Sequence, residues 1–110
     1  MNQITYEDFQ KLQIKIATIT AAEKVDGSNK LLKLTLNCGK DDPERVVLSG
    51  IANHYTPESL LKKQVPVLVN IAPRKIMGIE SNGMILCADE NDEPILLYPE
   101  KYVKEGSEVR

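Results

Sequence analysis

The sequence predicts an all-β domain: a five-stranded Greek-key barrel with one short helix between its third and fourth strands, a short N-terminal helix and a C-terminal extension. Three observations predict it. Apolar and polar residues alternate at period two through much of residues 12–52. One strong helix start, Thr56-Pro57-Glu58, then breaks the alternation. Strand signals resume at Val65 and again at Gly83. Three strands, a helix and two strands is the order of the OB-fold, a small Greek-key barrel. A simple sandwich is the alternative, and the lone central helix argues against it.

Thr5-Tyr6-Glu7-Asp8 opens the first helix, with Thr5 as N-cap and the acid three residues later approximating a capping box. That helix is expected to end near Lys11. From Leu12 to Val25 the alternation of Leu12, Ile14 and Ile16 with Gln13, Lys15 and Ala17 makes a long first strand. Its phase shifts near Ala17–Ile19, which places a bulge there. Asp26-Gly27-Ser28-Asn29 is turn chemistry. Leu32, Leu34, Leu36 and Cys38 mark the second strand, Gly39 to Glu44 an acidic loop, and Arg45 to Ala52 the third strand. Pro66 confines the central helix to about two turns, and Val65 to Ile71 is the fourth strand. Pro73-Arg74-Lys75 interrupts, and Asn82-Gly83 between apolar runs signals a hairpin. Gly83 to Ala88 is the fifth strand. The whole chain, 1–110, reads as one domain with its barrel at about 12–88 and an extension at about 89–110. The run Ile95-Leu96-Leu97-Tyr98 lies beyond the barrel and needs a surface to cover it, on its own domain or on a second subunit.

A hydrophobic fraction of 42% with 27% charged residues is globular composition. The longest apolar run without a charge, Val65 to Pro73, is far short of the roughly 20 residues that span a bilayer. No basic or apolar leader opens the chain, so no membrane partner and a cytoplasmic location are expected. Cys38 and Cys87 lack metal-ligand spacing and read as reduced core residues. His54, the only histidine, reads as a surface loop residue. A single histidine rules out zinc sites that need two. There is no nucleophile–base pair, carboxylate dyad or glycine-rich phosphate loop, so no metal, no cofactor and no catalysis are expected.

The formal charge of −2 hides an asymmetry. Residues 11–88 hold 11 Lys and Arg against 7 Asp and Glu, whereas residues 89–110 hold 3 against 7. Screening beyond about 8–10 Å lets a local basic patch act despite an acidic total. OB-folds bind oligonucleotides on the face of strands two and three and the flanking loops. Tolerant single-strand binders need exposed aromatic platforms there. The only aromatics are Tyr6, Phe9, Tyr55, Tyr98 and Tyr102, none on those strands. Lys15, Lys30, Lys33 and Arg74-Lys75 suit phosphate contacts and recognition of a folded RNA by shape.

At these residues the chain resembles the structure-specific tRNA-binding domain family, found free-standing and as the C-terminal appendage of methionyl-tRNA synthetases. The motifs are Asp8-Phe9, Asp26 to Leu34, Ser49-Gly50-Ile51-Ala52, Asn70 to Gly78, and Ser81 to Leu86. The resemblance spans about Ile4 to Arg110. It implies an OB-fold that binds tRNA by overall shape, as a homodimer whose C-terminal extension supplies dimer contacts, in support of an aminoacyl-tRNA synthetase. Carried over by motif, the tRNA contacts are Lys30, Lys33, Asn70, Arg74, Lys75, Ser81 and Met84. The four cations would meet phosphates, and Asn70 and Ser81 sugar or base edges. Met84 would touch a base or fill the barrel core, and Ser81 could equally cap a turn. Gly50, Gly78 and Gly83 read as backbone necessities rather than contacts. Lys15 is not carried over, because Ile14-Lys15-Ile16-Ala17 departs from the family's pattern. The competing reading is a CsaA-type peptide-binding export chaperone on the same OB-fold dimer, which would want an exposed apolar groove.

Overall fold

The computed structural model describes all of residues 1–110. A capping box forms helix α1 (Tyr6–Gln10): the Asp8 N–H donates to the Thr5 hydroxyl and the Thr5 N–H to the Asp8 carboxylate. No residue of α1 is buried. Strand β1 (Ile14–Lys24) is the hub of the sheet, pairing antiparallel with β2 (Leu32–Asn37) through its second half and with β4 (Gln64–Leu68) through its first. The expected bulge lies slightly later, between Ile19 and Ala21, where Thr20 is left over and its hydroxyl donates to the Thr35 carbonyl. A bulge lets one strand curve to serve both sides of a barrel.

Strand β3 (Arg45–Ser49) pairs with β2, and β7 (Met84–Ile85) with β4, giving the order β3-β2-β1-β4-β7. Closure between β3 and the far edge uses single hydrogen bonds rather than a ladder. The Asn82 N–H donates to the Val46 carbonyl, and the Leu48 N–H to the Ser81 hydroxyl. Arg45 adds a strut, reaching the carbonyls of Val69 and Asn82 while its Nε pairs with Asp42 at 2.7 Å. The core is the inward set of these strands, including Ile19, Leu34, Val47 and Val67, all fully buried. Leu60, from the single-turn helix α2 (Pro57–Leu60), joins it, with Thr56 as N-cap. The expected central helix is therefore present, reduced to one turn.

Three expectations are corrected. The hairpin turn is Met77-Gly78, joining β5 (Arg74–Ile76) to β6 (Ile79–Ser81), and not Asn82-Gly83. Both turn residues have positive φ, 53° and 80°, as a tight hairpin turn of this hand requires. Asn82 instead commits its N–H to barrel closure, and Gly83 sits at φ 138° where a Cβ would lie 3.0 Å from the Leu68 carbonyl, so the position requires glycine. The fifth strand is also broken: β7 ends at Ile85, and β8 (Cys87–Glu90) turns away to pair with β9 (Glu93–Leu96). Pro66 explains the break. Leu86 donates to the Pro66 carbonyl, but proline has no N–H to return, so the β4–β7 ladder stops there. Finally, the third strand ends at Ser49 rather than Ala52.

The run 95–98 divides. Leu96 enters its own core, whereas Leu97 and Tyr98 stay exposed. The C-terminal segment is clasped to the barrel by buried Gln64, whose amide donates to the Val103 carbonyl and accepts from the Val103 N–H. It ends as β10 (Glu108–Val109) on the edge of β1. No helix is long and apolar enough to cross a membrane.

Candidate nucleic-acid interface

A groove of about 260 Å³ runs along the outside of the barrel where it is closed most thinly. One wall is the end of β3, with Leu48, Ser49 and Gly50. The other is the β5–β6 hairpin, which contributes Arg74, Ile76 and Ser81. Met84 borders the groove beside buried Ile85, as period-two alternation requires. The same alternation splits the Arg74-Lys75 pair. Arg74 stands on the hairpin face opposite Ser81, whereas Lys75 stands on the other face, opposite Glu80, without an ion pair.

The hairpin is held in place at its tip. The Met77 methyl lies 3.0 Å from where a Cβ on Gly27 would stand, so the Asp26-Gly27-Ser28 loop supports it. Ser28 shapes that loop by accepting from the N–H groups of Lys30 and Leu31. The Lys30 carbonyl in turn accepts from the Ala52 N–H, which ties the loop to the chain just past Gly50. Lys30 is thus fixed beside the groove while its own side chain is exposed and makes no ion pair. Arg74 is the one charged residue lining the groove, and no carboxylate lines it.

Apart from Lys75 on the hairpin's other face, the residues expected to contact tRNA fall into three groups. Arg74, Ser81 and Met84 meet in the groove, with Lys30 at its margin. Met84 is 45% exposed, so the core alternative is excluded. Ser81 is buried, and its hydroxyl is engaged with the Leu48 N–H and the Gly83 carbonyl. Lys33 lies on the outer face of β2, next to Leu48 in register, and pairs with Glu23 at 3.5 Å. Asn70 stands apart: its carbonyl oxygen accepts from the Gln13 N–H and its amide donates to the Lys11 carbonyl, anchoring the end of α1 to the exit of β4. Leu31 and Ile76 also line the groove and were not expected to. For Leu31 the signal was present in the broken alternation Leu31-Leu32, which forces one leucine outward.

No aromatic side chain lines the groove. Tyr55 is half-buried, its hydroxyl donating to the Pro94 carbonyl and accepting from the Leu96 N–H. Burial pushes both thiols, Cys38 and Cys87, above their ordinary range, which makes them poor nucleophiles. No group of three or more His, Cys, Asp or Glu side chains is placed to hold a metal.

A closed-up five-strand barrel with a basic-edged surface groove defines the class, a small OB-fold domain. Residues 14–108 match the family described as "Putative tRNA binding domain", and the chain belongs to that family. It is 50% identical over 107 residues to the methionine–tRNA ligase of Archaeoglobus fulgidus, which covers 97% of the chain but 16% of that enzyme. Its identity to the ligase of Cytophaga hutchinsonii is 49%, covering 96% of the chain and 15% of the enzyme. The chain thus spans about a sixth of the length of these relatives. Among solved structures it is similar to a MetRS-related protein from Pyrococcus horikoshii, with TM-score 0.92, 33% identity and full coverage of both chains. It is also similar to the CsaA chaperone of Bacillus anthracis, with TM-score 0.89, 25% identity and coverage of 99% and 100%.

Proposed function

We propose that this domain binds folded tRNA by shape, without catalysis, and assists an aminoacyl-tRNA synthetase, in cis or in trans, methionyl-tRNA synthetase being the partner its relatives indicate. The observation that carries the reading is the set of cations without ion pairs on this side of the barrel, Arg74 lining the groove, Lys30 at its margin and Lys75 on the other face of the same hairpin, together with a groove that no carboxylate lines. Phosphate contacts of this kind fix register on a nucleic acid without reading its sequence. The absence of an aromatic platform in the groove favours a folded RNA over a tracked single strand. The domain acts in the cytoplasm as a homodimer, with the exposed Leu97, Tyr98 and Tyr102 of the extension in the subunit contact.

The test is a gel-shift titration of folded tRNA against an unstructured RNA of equal length, with the double variant Arg74→Ala/Lys75→Ala alongside. Folded tRNA binds more tightly, and the variant loses that preference. Equal or absent binding of both RNAs overturns the reading. The alternative, a peptide-binding chaperone, is supported by the apolar lining of the same groove and by the likeness to CsaA. An unfolded peptide that binds where tRNA does not would establish it.

A further inference from the structure

Five of the six glycines have positive φ, between 80° and 138°, and so answer to the backbone. Gly50 is the exception. Its φ lies outside the left-handed region, and a Cβ added to it would meet no atom within 4 Å. Neither conformation nor packing within this chain calls for glycine there. Gly50 is exposed, it borders the groove, and neither its N–H nor its C=O has a hydrogen-bond partner in the chain. Beside this free donor and acceptor lie the apolar surfaces of Ile76 and exposed Met84, and the unpaired guanidinium of Arg74.

We infer that the groove receives one unstacked nucleobase of the bound RNA. The base edge meets the Gly50 backbone, its face lies on Met84 and Ile76, and the adjoining phosphate meets Arg74. Glycine is required at position 50 because a base must approach the main chain closely there. The occupant is a nucleotide rather than an apolar peptide side chain because the groove pairs an apolar surface with a cation and no carboxylate. This rests on the tRNA-binding reading and sharpens it: the partner must offer a splayed-out nucleotide next to a helical backbone.

The experiment uses three RNA hairpins of one sequence: with a single bulged nucleotide, with an abasic residue in the bulge, and fully paired. Each is titrated by fluorescence anisotropy against the natural chain and against Gly50→Ala and Gly50→Leu. Thermal melting checks that both variants fold. The natural chain binds the bulged hairpin about 2- to 12-fold more tightly than the abasic one, the range that one net hydrogen bond between a base edge and the Gly50 backbone supplies. Gly50→Leu removes that difference, and Gly50→Ala reduces it. Equal affinity for bulged and abasic hairpins overturns the inference but leaves tRNA binding standing. No binding of any hairpin or of tRNA overturns both. An apolar peptide that displaces the bulged hairpin and binds more tightly than it makes the groove a peptide site, and also overturns the inference.

Discussion

Gly50 and Gly83 border one groove under opposite constraints. Gly83 is locked at φ 138° with a Cβ position 3.0 Å from the Leu68 carbonyl, so Gly83→Ala should cost about 1–3 kcal/mol. Gly50→Ala meets open space and should stay within about 0.5 kcal/mol. Urea midpoints measure both, and equal losses would refute the distinction. Asn70 poses a similar choice between strut and contact. With both polar atoms holding the backbone at Lys11 and Gln13, Asn70→Ala should cost about 1–2 kcal/mol, the worth of two ordinary hydrogen bonds partly replaced by water. If Asn70 acts only as that strut, tRNA affinity at constant salt stays within twofold. A larger loss restores it to the interface. Neither distinction is legible in the sequence. Nothing local separates a glycine at positive φ from one that is not, and the partners of Asn70 lie 57 and 59 positions away.

At the scale of elements, what the sequence displays is what local chemistry decides. The capping box of α1, the Thr56-Pro57 start of α2 and the alternation of β1 and β2 are set by neighbours a few residues apart, and each appears where expected. The strand break at Leu86 and the true hairpin at Met77-Gly78 are decided across the sheet, by a missing N–H on Pro66 and by the claim of Val46 on Asn82. The C-terminal clasp is another such element. Gln64 is buried and satisfies both backbone groups of Val103, so Gln64→Leu leaves them without partners and should cost about 2–3 kcal/mol. Hydrogen exchange should then loosen residues 103–109 before the barrel. The clasp is also expected to respond to pH. Hydrogen bonds from Tyr102 and then Thr18 hold the Glu105 carboxyl below its ordinary 4.5. A lowered native pKa contributes stability that is complete above the unfolded value and is lost as pH falls through the native one. Tyr102→Phe should therefore show a smaller loss of stability between pH ~5 and ~3 than the natural chain. An identical acid profile would mean that the pair contributes nothing.

For the whole molecule, the question is how a chain of net charge −2 holds a polyanion. Four of the seven acids of the extension, Asp89, Glu90, Asp92 and Glu93, belong to the β8–β9 hairpin, and none of the seven lines the groove. At physiological ionic strength charges more than about 8 Å apart are largely screened, so a partner at the groove meets Arg74 and Lys30, and Lys75 where it wraps the hairpin, rather than the net charge. Lys33 contributes less, since it is shared with Glu23. Three neutralised phosphates per chain give a slope of log affinity against log salt of about −2 to −3. The slope also reports the assembly. A homodimer that lays both copies on one tRNA doubles it to about −4 to −5, whereas a dimer that binds with one copy leaves it unchanged. Arg74→Ala should lower its magnitude by about one per engaged copy. Light scattering on Leu97→Glu supplies the control. If that substitution in the exposed extension yields monomers and halves the slope, the dimer forms through residues 95–110 and both of its copies hold the RNA. If monomers form with the slope unchanged, the second copy never touched the RNA. If the dimer survives, its contact lies elsewhere, and the exposed Ile4, Tyr6 and Leu12 around α1 are the next surface to charge. A slope near zero in the natural chain would instead remove phosphate contact as the source of affinity, and the tRNA reading with it.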